Sequence, residues 1–228
     1  MLTWGRPTMN EVANLVNAIQ AIPSTPGKPW NPQSAVETFV QHALMSMGHI
    51  HADTKGYLDP KVLAFGPLKK NVEEAPEVVA AITAYLNAVT AGRPFEDVLG
   101  RVHAELLARK GGEGLGQSFT PGDLLDLVQA LATRHRPGGS GAKVYDSCCG
   151  AGSLALAAIR SQLKHLPSEK ILVLAGDIDP LCAAMTALQI HANQTFHFLP
   201  LGAVKVTVGN ELIGPRRPGF WSHFHLYE

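Results

Sequence analysis

The residues best suited to chemistry stand in one short run, Asp146-Ser147-Cys148-Cys149-Gly150-Ala151-Gly152, and in a second acid farther along, Asp177. The run leaves a stretch with strand character, Lys143-Val144-Tyr145-Asp146, and enters one with helical spacing from about Ser153 to Leu163. Glycines at such a bend let the backbone approach a ligand closely and turn amides toward it, and open α/β sheets bind ligands at the carboxyl ends of their strands. A tight strand-to-helix turn with no ligand uses the same residues, and a single short motif is often a false positive. Asp177 shifts the balance toward a ligand. It follows the apolar run Ile171-Leu172-Val173-Leu174-Ala175-Gly176, at a strand end where a carboxylate can accept both hydroxyls of an adenosine ribose.

Two adenosine cofactors fit this pattern. Gly150-x-Gly152-x-x-Ala155 satisfies the outline of a dinucleotide fingerprint, and Asp177 lies at about the expected distance beyond it. Asp146 favours the other: at the strand end it would repel a pyrophosphate but attract the cationic amino group of S-adenosyl-L-methionine. The residues therefore point to S-adenosyl-L-methionine, with a nicotinamide dinucleotide as the competing reading.

The elements that must hold these residues follow from apolar spacing. Before residue 110 the chain reads as short helices divided by proline and glycine. Val12, Leu15, Val16 and Ile19 mark the first, and a second runs from Gln33 toward Met47. A third starts at Pro76, carries Val79, Ile82, Ala84, Leu86 and Val89, and is closed by Gly92. Phe95, Val98, Leu99, Val102, Leu106 and Leu107 mark a fourth, and no strand is expected in this half. Lys110-Gly111-Gly112-Glu113-Gly114-Leu115-Gly116 is the expected boundary. Beyond it, Thr120-Pro121-Gly122-Asp123 can start a helix, and then strands at 143–146, 171–176 and 204–208 alternate with helices at 153–163 and 180–193. That βαβαβ order predicts a parallel sheet with helices on its faces.

Composition sets limits on partners. The chain has 228 residues, 46% hydrophobic and 17% charged, enough apolar content to build a core. Nineteen Lys and Arg balance nineteen Asp and Glu, so no net field attracts nucleic acid or a membrane surface from a distance. No apolar run reaches the roughly 20 residues of a membrane span, and a cytoplasmic location is expected. Three cysteines without a Cys-x-x-Cys pair give neither a disulfide framework nor the start of a zinc site. No metal is expected.

Taken in order, the segments resemble the adenine-specific DNA methyltransferases of the type I restriction-modification kind, the modification (methylase) subunits. Phe95-Glu96-Asp97-Val98-Leu99-Gly100 and Gly116-Gln117-Ser118-Phe119-Thr120-Pro121 are similar to that family's entry segment, whose Phe-Thr-Pro element touches the cofactor's methionine end. Asp146 to Gly152 resembles its Asp-Pro-x-Cys-Gly-x-Gly loop, with Cys149 at the cysteine and Ser147 in place of proline. Ala175-Gly176-Asp177-Ile178-Asp179-Pro180 resembles its ribose-binding segment, with Asp177 in place of glutamate. Val208-Gly209-Asn210-Glu211-Leu212 resembles the next element, in which Asn210 would meet the adenine. The resemblance implies cofactor-binding roles for Phe119, Thr120, Pro121, Asp146, Cys149, Gly150, Gly152, Asp177 and Asn210. It also implies an α/β fold: a helical N-terminal region over 1–110 and a truncated Rossmann-like S-adenosylmethionine-dependent methyltransferase domain over 111–228.

The activity it implies is DNA methylation at the adenine exocyclic amine, with DNA as substrate and a specificity subunit or a complementing methylase subunit as partner. The family holds the flipped adenine's amine with an Asn/Asp-Pro-Pro-Tyr/Phe tetrapeptide, which these 228 residues lack. Two readings follow: an enzyme, active with a partner chain or with its aromatic tail in place of the tetrapeptide, or a catalytically inactive cofactor-binding or interaction module. No catalytic residue is assigned. The His223 and His225 tail is expected to pack or fray rather than bind metal, and Phe220, Trp221 and Phe224 to cover a strand edge or meet a partner. Cys148 and Cys149 are expected to act as small buried fillers. Lys69-Lys70, Arg134-His135-Arg136 and Arg216-Arg217 read as ordinary surface charge. A three-stranded parallel sheet would leave an apolar edge uncovered, which makes a homodimer an expected partner state.

Overall fold

The computed structural model describes residues 9–23, 29–50, 57–58, 75–107, 141–209 and 222–227 of the chain. In chain order these form α1 (Met9–Gln20), α2 (Pro32–Ile50), β1 (Tyr57–Leu58), α3 (Pro76–Ala91), α4 (Leu99–Leu106), β2 (Ala142–Asp146), α5 (Ser153–Gln162), β3 (Ile171–Asp177), α6 (Pro180–Phe196), β4 (Ala203–Val208) and β5 (Ser222–Tyr227). The fold is α/β: a helical N-terminal region precedes a Rossmann-like domain whose central strands β2, β3 and β4 run parallel. The expected boundary 110–116 and the helix start at Thr120 lie outside the described residues.

The helical region forms where apolar spacing requires it. Leu15, Val16 and Ile19 of α1 are buried, as are Val36, Phe39, Val40, Ala43 and Leu44 of α2. Pro76 occupies the first turn of α3 and the Gly92 amide closes it on the carbonyls of Ala88 and Val89. The buried side of α3 differs from the expected one: Val78, Ala81, Tyr85, Ala88 and Val89 face inward, while Val79 is 51% exposed. This helix is apolar nearly all round, so periodicity could not select its inner face, and the packing of α3 on α1 and α2 does. Phe39 and Tyr85 meet edge-on at a centroid distance of 5.8 Å. One continuous core joins these helices to the sheet, because α2 and α3 both pack on α6.

Two further expectations are corrected. The fourth helix begins only at Leu99, and Phe95 lies before it in a turn with φ of 56°. A strand does occur in the first half, the two-residue β1.

The sheet has five strands in the order β1-β5-β4-β3-β2. The tail that was expected to pack, fray or cover an edge forms β5, antiparallel to β4, and β1 pairs with β5. Of the two edges of the parallel part, β4 is therefore covered, and β2 ends the sheet on the other side. In the parallel part, Val144, Val173 and Val204 share one row and are buried under α5 and α6. The next row, Tyr145, Leu174 and Lys205, faces the opposite side, with Tyr145 61% and Leu174 40% exposed. The apolar run 171–176 predicts a strand buried on both faces, but its burial alternates, because helices cover one face only among the described residues.

A candidate cofactor site at the ends of the parallel strands

Asp146 ends β2 and Asp177 ends the adjacent β3, so the fold brings the two sequence-predicted carboxylates to the same end of the sheet. The loop 147–152 between β2 and α5 lies beside them. Gly150 and Gly152 adopt φ of 54° and 97°, in the left-handed region that side chains disfavour. At Gly152 a Cβ would also meet Thr186 Oγ1 at 3.0 Å and its Cα at 3.3 Å.

Four of the loop's amides are committed within the protein. The Cys148 amide donates to Asp146 Oδ1 (3.3 Å), the Cys149 amide to the Gly176 carbonyl (2.9 Å) and the Gly150 amide to Asp177 Oδ2 (2.8 Å). The Gly152 amide donates back to the Cys149 carbonyl (2.8 Å). On the other side, Thr186 Oγ1 donates to the Gly150 carbonyl (2.8 Å) and Gln189 Nε2 to the Ala151 carbonyl (2.7 Å). Glycine amides were expected to turn toward a ligand; those of Gly150 and Gly152 are instead held inside the protein. Asp177 Oδ1 also accepts from the Asp179 amide (2.9 Å), and Asp179 caps α6 through the Leu181 amide (2.9 Å).

Electrostatics follow from this layout. Burial pushes the Asp146 carboxyl above its ordinary value and neighbouring Asp177 adds to the effect, opposed by the amides of Cys148 and Ala155. Burial also raises the Cys149 and Cys182 thiols, so both stay protonated and packed. The expected filler role fits Cys149, which is 5% exposed, whereas Cys148 is exposed. Phe119, Thr120, Pro121 and Asn210 lie outside the described residues. Asn210 follows Gly209, whose amide donates to the Asp177 carbonyl (2.9 Å).

The structure adds residues that sequence reasoning missed. Ile178, next to Asp177, is 54% exposed and presents apolar surface at the strand ends. Thr186, Gln189 and Asn193 are fully buried in α6. Their spacing of three and four places them on one side of the helix, a readable signal of a polar stripe. Gln189 Oε1 accepts from the amides of Val98 (2.8 Å) and Leu99 (3.1 Å), and Asn193 Oδ1 from that of Phe95. Asp97 Oδ1 accepts from Gln189 Nε2 (2.9 Å) and from the Gly100 amide (2.8 Å), while its Oδ2 accepts from the Ser153 hydroxyl. The turn 95–100 is thereby tied to Ala151 of the glycine loop, through Gln189, and to Ser153 just after it. A Cβ at Gly100 would overlap Asp97 and Ser153, which explains the glycine that ends Phe95-Glu96-Asp97-Val98-Leu99-Gly100.

The fold thus sets acids at the ends of adjacent parallel strands, beside a glycine loop that leads into a helix. Residues 95–197 match the N-6 DNA Methylase family, in agreement with the resemblance carried by the sequence motifs. The match starts at the Phe95 turn and ends at the close of α6, the same stretch that the buried polar stripe ties together. None of the curated proteins matches the chain. Among solved structures, a protein from Listeria monocytogenes assigned as a class I S-adenosylmethionine-dependent methyltransferase shares the fold, with a TM-score of 0.52 and 11% identity. That likeness covers 92% of this chain and 76% of the other. Type I restriction-modification subunits are more distant in structure. The methyltransferase subunit from Streptococcus thermophilus is 20% identical at a TM-score of 0.39, over 63% of this chain and 29% of that one. A modification subunit assigned to a type I restriction enzyme of Vibrio vulnificus YJ016 is 12% identical at 0.41, over 87% and 55%. The chain therefore spans about a third and about half of the length of these two subunits. Among the described residues no helix is long and apolar enough to cross a membrane.

Proposed function

We propose that the protein binds S-adenosyl-L-methionine at the ends of β2 and β3 and serves methyl transfer to the exocyclic amine of adenine in DNA. The observation that carries this reading is the pairing of two carboxylates with a loop in which the amides of Cys148, Cys149, Gly150 and Gly152 are already bonded. A pyrophosphate needs free amides and meets repulsion from Asp146 and Asp177, whereas a cationic cofactor meets attraction. The donor set thus fits S-adenosyl-L-methionine better than a dinucleotide.

In this reading Asp146 faces the cofactor's cationic part and Asp177 accepts from the ribose hydroxyls with lone pairs left over from Gly150 and Asp179. Gly150 and Gly152 keep the loop close, Cys149 fills the space behind it, and Ile178 offers an apolar surface to the adenine. Asn210 and the Phe119-Thr120-Pro121 segment complete the site. When bound, the cofactor supplies an electrophilic methyl group on sulfonium. The tetrapeptide that would hold the target amine is not among these 228 residues, and in this reading the chain works with a complementing methylase or specificity subunit, in a cytoplasmic complex on DNA.

Calorimetry with S-adenosyl-L-methionine and with NADH tests the cofactor. Binding of the first alone is expected, and preference for the dinucleotide overturns the reading. Methyl incorporation into duplex DNA, with and without candidate partner subunits, then tests the reaction. Cofactor binding without incorporation under any condition favours the inactive module.

A further inference from the structure

We propose that Gln189 is a positioning residue that fixes the glycine loop by locking it to the turn 95–99; its effect on cofactor affinity rests on the reading above. Gln189 is fully buried, and its carboxamide uses every valence it has. Its two N–H groups go to Ala151 in the loop and to Asp97 in the turn, and its oxygen accepts from Val98 and Leu99. No other residue type reproduces that pattern from this backbone position. Glutamate lacks the donors and would face the Ala151 carbonyl and the Asp97 carboxylate, asparagine is one carbon shorter, and methionine can bond none of the four groups.

The turn itself is held in an uncommon conformation, which gives the lock its meaning. Phe95 is buried with φ of 56°, a region costly for a bulky residue. Its amide is taken by Asn193 and its carbonyl by Arg160 Nη1 (2.7 Å), from α6 and α5 respectively. Asp97 then reaches the Ser153 hydroxyl, at the first residue of α5. The loop is thus gripped at Ala151 by Gln189 and at Ser153 by Asp97, and Gln189 binds Asp97. Neither residue is hydrogen-bonded to Asp146 or Asp177, so their influence on a ligand passes through the loop backbone.

The test compares wild type with Gln189→Met, which keeps the length and deletes all four bonds. Two quantities are read: amide hydrogen exchange and the dissociation constant for S-adenosyl-L-methionine by calorimetry. In the ligand-free variant the amides of Cys149, Gly150 and Gly152 are expected to exchange at least about tenfold faster, while Val173 and Ala175 of β3 keep their wild-type rates. Affinity is expected to weaken about tenfold or more. Equal acceleration at all of these amides marks a merely structural residue and overturns the proposal, as does unchanged exchange in the loop or unchanged affinity. If wild type binds no cofactor, the functional reading fails, while the loop amides still decide whether Gln189 sets the loop. Ser153→Ala deletes one hydroxyl of the same cluster and carries the test should Gln189→Met not fold. It is expected to give the same pattern with a smaller change, and wild-type behaviour of that variant overturns the proposal.

Discussion

Gly152→Ala is the sharpest perturbation of the loop, because its consequences can be worked from geometry. The backbone there has φ of 97° and ψ of 7°, and an L-residue in the left-handed region costs about 1–2 kcal/mol. The new methyl would stand 3.0 Å from Thr186 Oγ1 and 3.3 Å from Thr186 Cα and Cγ2. Thr186 sits within helix α6 and is fully buried, so its backbone has little room to give. Displacing its hydroxyl would cost the bond to the Gly150 carbonyl, about 1 kcal/mol. The sum is a loss of about 2–3 kcal/mol, which in a chain of this length lowers the thermal midpoint by roughly 4–12 °C. Thermal and urea unfolding followed by circular dichroism measure it. Adding Thr186→Ser removes the methyl at 3.3 Å and frees the hydroxyl to rotate, so the double variant should recover part of the steric share and leave the dihedral cost. A single variant with the wild-type midpoint would refute the loop conformation, and with it the account of why glycine stands at this position.

Three more outcomes are expected. Because burial raises the Asp146 carboxyl in the folded state, the fold loses stability as pH climbs from the usual value near 3.8 through the raised one. Asp146→Asn should therefore stabilise the ligand-free protein at neutral pH while weakening S-adenosyl-L-methionine about tenfold or more, read by melting and calorimetry. His103 behaves in the opposite sense: burial lowers it below its usual 6.5, only partly opposed by Asp179, so stability should fall as pH drops below that value. A His103→Gln protein should show a shallower decline in melting temperature between neutral and mildly acid pH. Finally, a thiol reagent should label one cysteine of three in the native protein, the exposed Cys148, and peptide mapping should find Cys149 and Cys182 unmodified. Saturating cofactor should slow that labelling.

Much of the α/β half was legible because its signals are local. Asp146 closes a short stretch with strand character and Asp177 an apolar run of strand length, Asp179-Pro180 announces a capped helix, and glycines mark the bend after Asp146. These features need no knowledge of the rest of the chain. What stayed hidden depends on contacts between distant segments. The left-handed turn at Phe95 carries no glycine to announce it and is held by Asn193, 98 positions away. The amides of the glycine loop looked available from sequence, yet Asp177 and Gly176 occupy two of them from the neighbouring strand. The inner face of α3 was illegible for another reason: with apolar residues on every side, only its neighbours decide which ones are buried. The β5 strand is a nonlocal pairing as well, with residues 222–227 laid beside β4.

The stripe Thr186, Gln189 and Asn193 has a practical consequence for anyone who would redesign the protein. Helix α6 has a single permitted rotational setting, fixed from one flank by the carbonyls of Gly150 and Ala151 and from the other by the amides of Phe95, Val98 and Leu99. Inserting or deleting one residue ahead of Thr186 would swing the stripe by about 100° and strand both sets of partners at once. Segment swaps among related chains should therefore transplant 95–100, 146–153 and 180–196 as one block, since a hybrid that mixes them would assemble with its loop and its turn out of phase.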